Sequence, residues 1–277
     1  MGFRITFLGT GGGRHTTMYQ TRSTGGFLVE HDGRFLHIDP GPGALTQMQR
    51  IRYDLTQTGS IIVSHCHPDH YSDAASVIEG MTLGGWVKRG SLYGSETVIR
   101  GRGTLGPAFS PYHLSRPERV TAFKPGDVLD VDGMRVEVCE AIHSDPTNAG
   151  FRMDTGHGIL SYVSDTEYTD AIADQYAGSR VLLLPVTTPM GNRIRYHMCT
   201  DDAVTFVERV RPELAVFVHL GIVMIRRGPA EQASIVEDAT GVRTVAAEDL
   251  MTIDVGDDLV VGRAEAHDEP WIPDSAP

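Results

Sequence analysis

One stretch constrains this chain more than any other: Ser64-His65-Cys66-His67-Pro68-Asp69-His70. It follows an apolar run, Ile61 to Val63, that is typical of a buried strand, and it leads into helical spacing over Asp69 to Met81. Three imidazoles and a carboxylate therefore gather where a strand gives way to a helix. Because imidazole nitrogen and carboxylate oxygen are ligands that zinc prefers, the stretch predicts a metal site.

The spacing within this stretch predicts which side chains face the metal. His65 and His67 are two residues apart, so an extended backbone places them on one side, and Cys66 points the other way into packing. Pro68 bends the chain, after which Asp69 and His70 can face a second ion. A polar loop with scattered histidines is the plain alternative, but three of the 12 histidines of a 277-residue chain fall within six positions.

Length and composition are typical of a globular protein: 277 residues, 40% hydrophobic and 22% charged. We expect one domain over residues 1–263 and an acidic, proline-containing tail over 264–277. No apolar run has membrane-spanning length, the N-terminus resembles no signal peptide, and three scattered cysteines favour a reducing compartment, so the cytoplasm is the expected location. A net charge of −12 argues against a protein that grips long nucleic acid.

Local patterns predict much of the remaining secondary structure. Asp32-Gly33 between two alternating runs predicts a hairpin. The glycines of Gly9 to Gly13 follow a strand but precede no helical pattern, which excludes a dinucleotide fingerprint; we expect either a plain turn or a backbone that approaches a ligand or metal. The irregular, arginine-bearing segment Trp86 to Arg119 is either a substrate lid or a solvated surface excursion, and the second is slightly favoured.

Further chemistry-bearing residues follow predicted strands. His143 follows Arg135 to Ala141, Asp165 follows Ile159 to Val163, and His219 follows the apolar run Leu214 to Val218. His197 lies in a polar loop between the predicted strand Val181 to Leu184 and the predicted helix Thr200 to Val210, with Thr200 as its expected N-cap. Loops at strand ends are where a rigid scaffold positions functional groups.

The ordered set His-x-His-x-Asp-His, then His, Asp and His resembles the metallo-β-lactamase superfamily, and the resemblance covers essentially the whole chain. It implies an α/β fold of the αββα type, in which two mixed β-sheets carry helices on their outer faces. Ribonuclease Z and the cyclic phosphodiesterase of the phosphonate pathway are the most similar branches. The matching motifs are Ile5-Thr6-Phe7-Leu8-Gly9-Thr10-Gly11-Gly12-Gly13, His143-Ser144-Asp145-Pro146, Gly150-Phe151-Arg152, Ser164-Asp165-Thr166 and His197-Met198-Cys199-Thr200.

The resemblance implies a ligand set for two zinc ions. His65, His67 and His143 would hold one ion. Asp69, His70 and His219 would hold the other, with Asp165 bridging both. Manganese or iron would fit the same mixed donors. Two ions about 3.5–4 Å apart can share a hydroxide, which Asp69 would orient toward phosphorus or a carbonyl carbon, and His197 would protonate the leaving oxygen or hold a substrate phosphate.

The resemblance therefore predicts a hydrolase, with a phosphodiesterase acting on a small or nucleotide-like phosphoester as the first choice. A carbonyl-ester hydrolase (lactonase, thioesterase or β-lactamase) on the same site is the alternative, and a metal sensor without turnover is a third. A tRNA 3′-processing endonuclease without exosite is less favoured. Only 21 residues separate His143 from Asp165, too few for a long tRNA-binding arm, and Leu184-Pro185-Val186-Thr187 replaces an expected glutamate-bearing segment. No membrane partner is expected, and the oligomeric state is left open, with a homodimer as one option.

Overall fold

The computed structural model describes residues 2–273, and the chain there alternates strands with short helices. The strands are β1 (Phe3–Phe7), β2 (Phe27–His31), β3 (Arg34–Ile38), β4 (Thr58–Val63), β5 (Ser91–Ser95), β6 (Arg119–Phe123), β7 (Val128–Val131), β8 (Met134–Glu140), β9 (Ala149–Asp154), β10 (Ile159–Tyr162), β11 (Ser179–Thr188), β12 (Met198–Cys199), β13 (Leu214–Val218), β14 (Thr244–Ala246), β15 (Met251–Val255) and β16 (Leu259–Arg263).

The helices within the same residues are mostly two turns or shorter. They are α1 (Gly13–Tyr19), α2 (Ala44–Arg50), α3 (Pro68–Tyr71), α4 (Ala74–Met81), α5 (Glu96–Ile99), α6 (Pro111–Leu114), α7 (Asp170–Asp174), α8 (Thr200–Val210), α9 (Ile222–Arg227) and α10 (Pro229–Thr240), with a 3-10 turn at Leu55–Gln57. No helix in this part of the chain is long and apolar enough to cross a membrane.

The chain forms two compact units. The first contains residues 2–10, 22–123 and 248–273. Its eight-stranded sheet has the order β16-β15-β1-β2-β3-β4-β5-β6, antiparallel from β16 to β3 and parallel from there on. The predicted hairpin is present as β2 and β3, joined at Asp32-Gly33. A buried cluster that includes Ile61, Val63 and Cys66 packs the sheet against α4, so Cys66 has the predicted packing role.

The second unit contains residues 11–21 and 124–247. Its sheet has the order β14-β13-β11-β10-β9-β8-β7, with β12 added beside β11. The strands from β14 to β10 run parallel and the strands from β10 to β7 antiparallel. Its core joins apolar residues of β11 and β13 to those of α8 and α10. Two mixed sheets with helices are the α/β class that the sequence predicts, and that prediction is confirmed; a single domain over 1–263 stays a prediction.

Several local predictions were wrong, each for an identifiable reason. The helix expected over Asp69 to Met81 is divided into α3 and α4, because the Asp73 amide donates to the Pro40 carbonyl, 3.0 Å away, instead of to a preceding turn. A helix, α1, does follow the glycines; it gives no apolar pattern because only Thr16 within it is buried. The N-cap of α8 is Cys199 rather than Thr200.

Other differences concern length and omission. The strand predicted over Val181 to Leu184 extends over Ser179–Thr188, since β10, β12 and β13 all pair with it. The short helix α9 and the edge strand β16 have no counterpart in the sequence prediction. Two residues of the predicted tail contact α2: the His267 amide donates to the Arg50 carbonyl, 2.8 Å away, and the Trp271 carbonyl accepts from the Gln49 side chain. Residues 274–277 of that tail lie outside the described residues.

Candidate active site

The first unit carries four residues of metal-binding types just after β4 and on α3: His65, His67, Asp69 and His70, here called the first donor cluster. The Nε2 atom of His65 lies 2.9 Å from Nδ1 of His67, and the rings of His65 and His70 are 4.1 Å apart. His65 and His70 are buried, and a carboxylate oxygen of Asp69 lies 3.8 Å from Nε2 of His70. The motif that the sequence singles out therefore folds into one compact set of donors.

Asp39, directly after the neighbouring strand β3, orients His70 of this cluster through the ring nitrogen that faces away from Asp69. Its carboxylate accepts hydrogen bonds from the Ser64 amide and hydroxyl, both at 2.7 Å, and from Nδ1 of His70 at 2.9 Å. A proton on Nδ1 leaves the lone pair of His70 on Nε2, the atom that faces Asp69. Such carboxylate–histidine pairs fix the tautomer and raise the basicity of metal-binding imidazoles.

The second unit carries His143, Asp165, His197 and His219, here called the second donor cluster. His143 follows β8, Asp165 follows β10, His197 precedes β12 and His219 follows β13. The Oδ2 atom of Asp165 lies 3.1 Å from Nε2 of His219, 3.6 Å from Nε2 of His197 and 3.9 Å from Nε2 of His143. The three histidines, which were separate predictions along the sequence, thus converge on one carboxylate oxygen of the fourth predicted residue, Asp165.

The opposite ring nitrogen of each histidine in the second donor cluster is held by the protein. Nδ1 of His143 donates to the Tyr196 carbonyl and Nδ1 of His197 to the Arg195 carbonyl, both at 3.2 Å. Nδ1 of His219 pairs with the Thr187 hydroxyl at 3.0 Å. Since a carbonyl can only accept, His143 and His197 are protonated at Nδ1 and direct an Nε2 lone pair toward Asp165 when neutral.

Four residues in or next to one or other donor cluster adopt left-handed backbone conformations although none is glycine. The φ angles are 52° at Asp39, 58° at Ser164, 69° at Tyr196 and 55° at His219. Residues with side chains rarely adopt this region, and such conformations concentrate at functional sites, where surrounding structure holds them in place. At Ser164 the hydroxyl donates to the side chain of Asn148, whose amide donates to the Asp165 carbonyl.

The glycine-rich segment contributes to the second unit through Gly12. A Cβ atom at this position would lie 2.2 Å from the imidazole of His219, so only glycine allows the backbone to pass there. The Gly12 amide also donates to the Leu220 carbonyl at 3.1 Å. Of the two alternatives for this segment, the structure supports the close approach to a candidate metal-binding residue.

Both clusters suit a divalent metal by the chemistry of their donors. Buried imidazole nitrogens face one another or face a carboxylate oxygen, and His70, His143 and His219 each have a partner on the ring edge away from the donors. In the second cluster, donor atoms of His143, Asp165 and His197 lie within 4.8 Å of one another. Borderline nitrogen and hard oxygen ligands of this kind suit zinc, manganese or iron.

Sequence reasoning missed the residues that orient the donors: Asp39, Thr187, Asn148 and the Tyr196 carbonyl. Asp39 had a usable signal, since it ends a strand beside the one that leads to His65, and parallel neighbouring strands end at the same edge of a sheet. The other three are ordinary polar groups in the sequence, and their role depends on tertiary neighbours.

Mixed sheets whose strands end in histidine and aspartate clusters define a class, the metal-dependent hydrolases of the metallo-β-lactamase fold. The model of the β-lactamase superfamily domain matches residues 34–220, more than half of the chain, and the chain belongs to this superfamily. It is 34% identical over 249 residues to the uncharacterized protein MJ1374 of Methanocaldococcus jannaschii. That match covers 89% of this chain and 93% of the relative.

A second relative identifies the branch. Ribonuclease Z of Methanosarcina acetivorans is 32% identical over 144 residues, 52% of this chain and 46% of that enzyme, so the match spans under half of the ribonuclease. The predicted ribonuclease Z-like resemblance is thereby confirmed. Among solved structures, the metallo-β-lactamase fold protein YhfI of Bacillus subtilis superposes with a TM-score of 0.76 at 17% identity, covering 91% of this chain and 99% of that one, which confirms the fold.

Proposed function

We propose that this hydrolase is a dinuclear zinc phosphodiesterase that acts on a small or nucleotide-like phosphoester. The observation that carries the proposal is the convergence of three imidazole Nε2 atoms on Asp165 Oδ2 in the second donor cluster. Membership of the superfamily and the similarity to a ribonuclease support metal-dependent cleavage of a phosphodiester.

The two clusters would together supply the ligands that the resemblance implies. His65, His67 and His143 would bind one ion, Asp69, His70 and His219 the other, and Asp165 both, with manganese or iron as chemical alternatives. When bound, the two ions supply Lewis acidity toward a phosphoryl oxygen and toward the attacking water. Asp69, whose side chain is partly exposed, would orient that water through its carboxylate.

His197 would act as the general acid. Its Nδ1 proton is held by the Arg195 carbonyl, so a transferable proton must reside on Nε2, the nitrogen that faces the second donor cluster. Its ring is about one-fifth exposed, whereas Asp165 and His219 are almost fully buried, so His197 is the member that substrate can reach. Protonation of the leaving oxygen at such a position typically contributes about 10²–10⁴-fold to the rate.

Hydrolysis of bis-p-nitrophenyl phosphate by zinc-loaded protein tests the proposal. We expect turnover that Asp69→Ala abolishes and that His197→Ala lowers by about 10²-fold. Asp238→Ala and His157→Ala are matched controls, because both side chains are outside the clusters and at least partly exposed, and we expect no change.

Absence of turnover in protein that holds two ions would contradict the phosphodiesterase assignment. Lactones and thioesters, the substrates of the carbonyl-ester alternative, would then be tested on the same zinc-loaded protein. Activity that survives Asp69→Ala would contradict the assignment of that carboxylate even if the substrate class is right.

A further inference from the structure

Three segments of the second unit adjoin its donor cluster and remain unused by the proposed chemistry. The loop 189–197 ends at His197, α9 begins three residues after His219, and α1 begins directly after Gly12, which lies against the His219 ring. The α1 helix also contacts the chain between His219 and α9, because the Thr16 hydroxyl donates to the Leu220 carbonyl at 3.3 Å.

The charge of these segments is opposite to that of the chain as a whole. They contain five arginines and no aspartate or glutamate, whereas the chain has a net charge of −12. Arg193 pairs with the carboxylate of Asp202. Four exposed arginines remain, here called the arginine rim: Arg14, Arg195, Arg226 and Arg227. None of the four has a carboxylate partner among residues 2–273.

Arg195 has a defined position beside the donors. Its guanidinium lies 4.4 Å from the centre of the Tyr196 ring, and that ring is 6.1 Å from the imidazole of His143. Tyr196 is itself fixed, because its amide donates to the Glu167 carboxylate at 2.8 Å and its carbonyl accepts from His143. An exposed guanidinium stacked on a fixed ring keeps its N–H groups available for hydrogen bonds to a ligand.

The loop that presents Arg195 is held at its other end as well. The Gly191 amide donates to Asp201 at 2.7 Å, and the Met190 amide donates to the Gln232 side chain at 2.8 Å. These contacts limit how far the loop can move, so they help to fix the position of Arg195 relative to His197.

The same segments expose large apolar side chains. Met18 and Tyr19 at the end of α1 are 65% and 70% exposed, and Met190, Ile194 and Val223 are each more than 40% exposed. Single exposed apolar residues need no explanation, but five of them interleaved with unpaired cations match a ligand that is both anionic and apolar.

We propose that these segments recognise a phosphoester that carries a second phosphate group and an apolar or aromatic part, with Arg195 binding the second phosphate. The proposal rests on the proposed function, because it places the scissile phosphate at the donor clusters. A planar guanidinium binds phosphate through paired, charge-assisted hydrogen bonds, which a small substrate with a single phosphate cannot use.

Binding to zinc-loaded protein, measured by titration calorimetry, tests this recognition apart from turnover. The probes are thymidine 5′-monophosphate and thymidine 3′,5′-bisphosphate, which differ only in the second phosphate and contain no diester bond. We expect the wild type to bind the bisphosphate about tenfold more tightly, the effect of one charge-assisted contact of about 1.4 kcal/mol.

The variants separate a local contact from general charge. Arg195→Gln should bind the two probes with nearly equal affinity. Arg243→Gln changes the net charge of the same unit equally at an exposed position before β14 and should keep the tenfold preference. Equal affinities in the wild type, or a preference that persists in Arg195→Gln, would overturn the proposal.

The two proposals fail in different ways. Turnover of bis-p-nitrophenyl phosphate without a preference for the bisphosphate refutes the role of Arg195 and leaves the phosphodiesterase assignment standing. A preference that Arg195→Gln removes, in a protein that hydrolyses no phosphodiester, supports the recognition surface and refutes the proposed reaction.

Discussion

Individual histidines in this chain have different roles, and their hydrogen-bond partners distinguish them. His70 and His143 each donate a hydrogen bond from Nδ1 to a protein oxygen, and the Nε2 atom of each faces another candidate metal ligand. His37 is the contrasting case: Nε2 donates to the Gly25 carbonyl at 2.8 Å, and Nδ1 has no hydrogen-bond partner among residues 2–273. The sequence separates these roles only in part: the motif around His70 and the strand-end position of His143 indicate metal ligands, whereas the partners that fix each ring nitrogen depend on tertiary neighbours.

Burial determines the charge state of His37. The side chain is completely buried in β3, and loss of hydration lowers the pKa of its imidazole from 6.5 to about 4, although the Gly25 carbonyl and the charge of Asp39 oppose that change. The folded protein therefore keeps His37 neutral at pH values where the unfolded chain binds a proton. The free energy of unfolding is therefore highest with respect to His37 above pH 6.5. It falls as the pH is lowered from 6.5 toward 4, because the unfolded chain then gains a proton that the folded protein does not bind.

We predict that His37→Gln removes this part of the pH dependence. The free energy of unfolding of the wild type should fall by about 3 kcal/mol more than that of the variant between pH 6.5 and pH 4. Glutamine can still donate to the Gly25 carbonyl but does not titrate. Urea titrations in the presence of a chelator measure the difference, and the shared titration of carboxylates cancels; a difference that stays constant with pH would contradict the prediction.

At the scale of elements, the strands that lead to the donor clusters were predictable, and so was α8, whose bounds are those predicted, whereas α1 and α9 were not. Leu214–Val218 is a strand with the predicted bounds. Five consecutive apolar residues are typical of a strand that is buried on both faces of its sheet, and all five are buried here. The α1 helix buries one residue of seven, so its sequence has no apolar periodicity to read. Its position depends on the contact of Gly12 with His219, which is tertiary.

The N-terminus of α8 illustrates a cap that propensity does not reveal. Thr200 is the stronger N-cap type, yet Cys199 has the extended backbone of a cap, and the Asp202 carboxylate accepts from the Cys199 amide at 3.2 Å. Asp202 also pairs with Arg193 in the loop that leads to His197. One carboxylate therefore closes the helix and attaches that loop to it.

We predict that Asp202→Ala lowers the free energy of unfolding by about 1–2 kcal/mol, since it leaves a buried amide without an acceptor and removes the capping box. Glu208→Ala is the control on the same helix, exposed and remote from the cap, and should change stability by less than about 0.5 kcal/mol. Urea unfolding followed by circular dichroism measures both. Equal losses in the two variants would mean that Asp202 has no capping role.

At the scale of the whole molecule, each compact unit supplies donors from strand ends of its own mixed sheet. His65 to His70 follow β4 of the first unit, and His143, Asp165 and His219 follow β8, β10 and β13 of the second. The ordered ligand motif was recognisable because it is local in the first unit and placed at strand ends in the second. The assignment of donors to particular ions derives from the family resemblance alone.

Zinc content tests whether donors of both units serve one centre. We predict two ions per chain in the wild type, one ion in His67→Ala and one in His219→Ala, because each variant removes a donor assigned to a different ion and the remaining ion keeps its own ligands. Asp165→Ala should hold less than one ion, since this carboxylate is assigned to both. His113→Ala in the first unit and His157→Ala in the second are the controls and should keep two.

The pattern of loss distinguishes a shared centre from separate ones. If each cluster bound its own ion independently, Asp165→Ala would leave the ion of the first donor cluster in place, and the protein would still hold one. Metal that binds only the folded state also stabilises it, by about 2.7 kcal/mol at one hundred times the dissociation constant. A shared centre therefore predicts that Asp165→Ala lowers the melting temperature of zinc-loaded protein to that of chelated wild type, whereas independent sites predict an intermediate value.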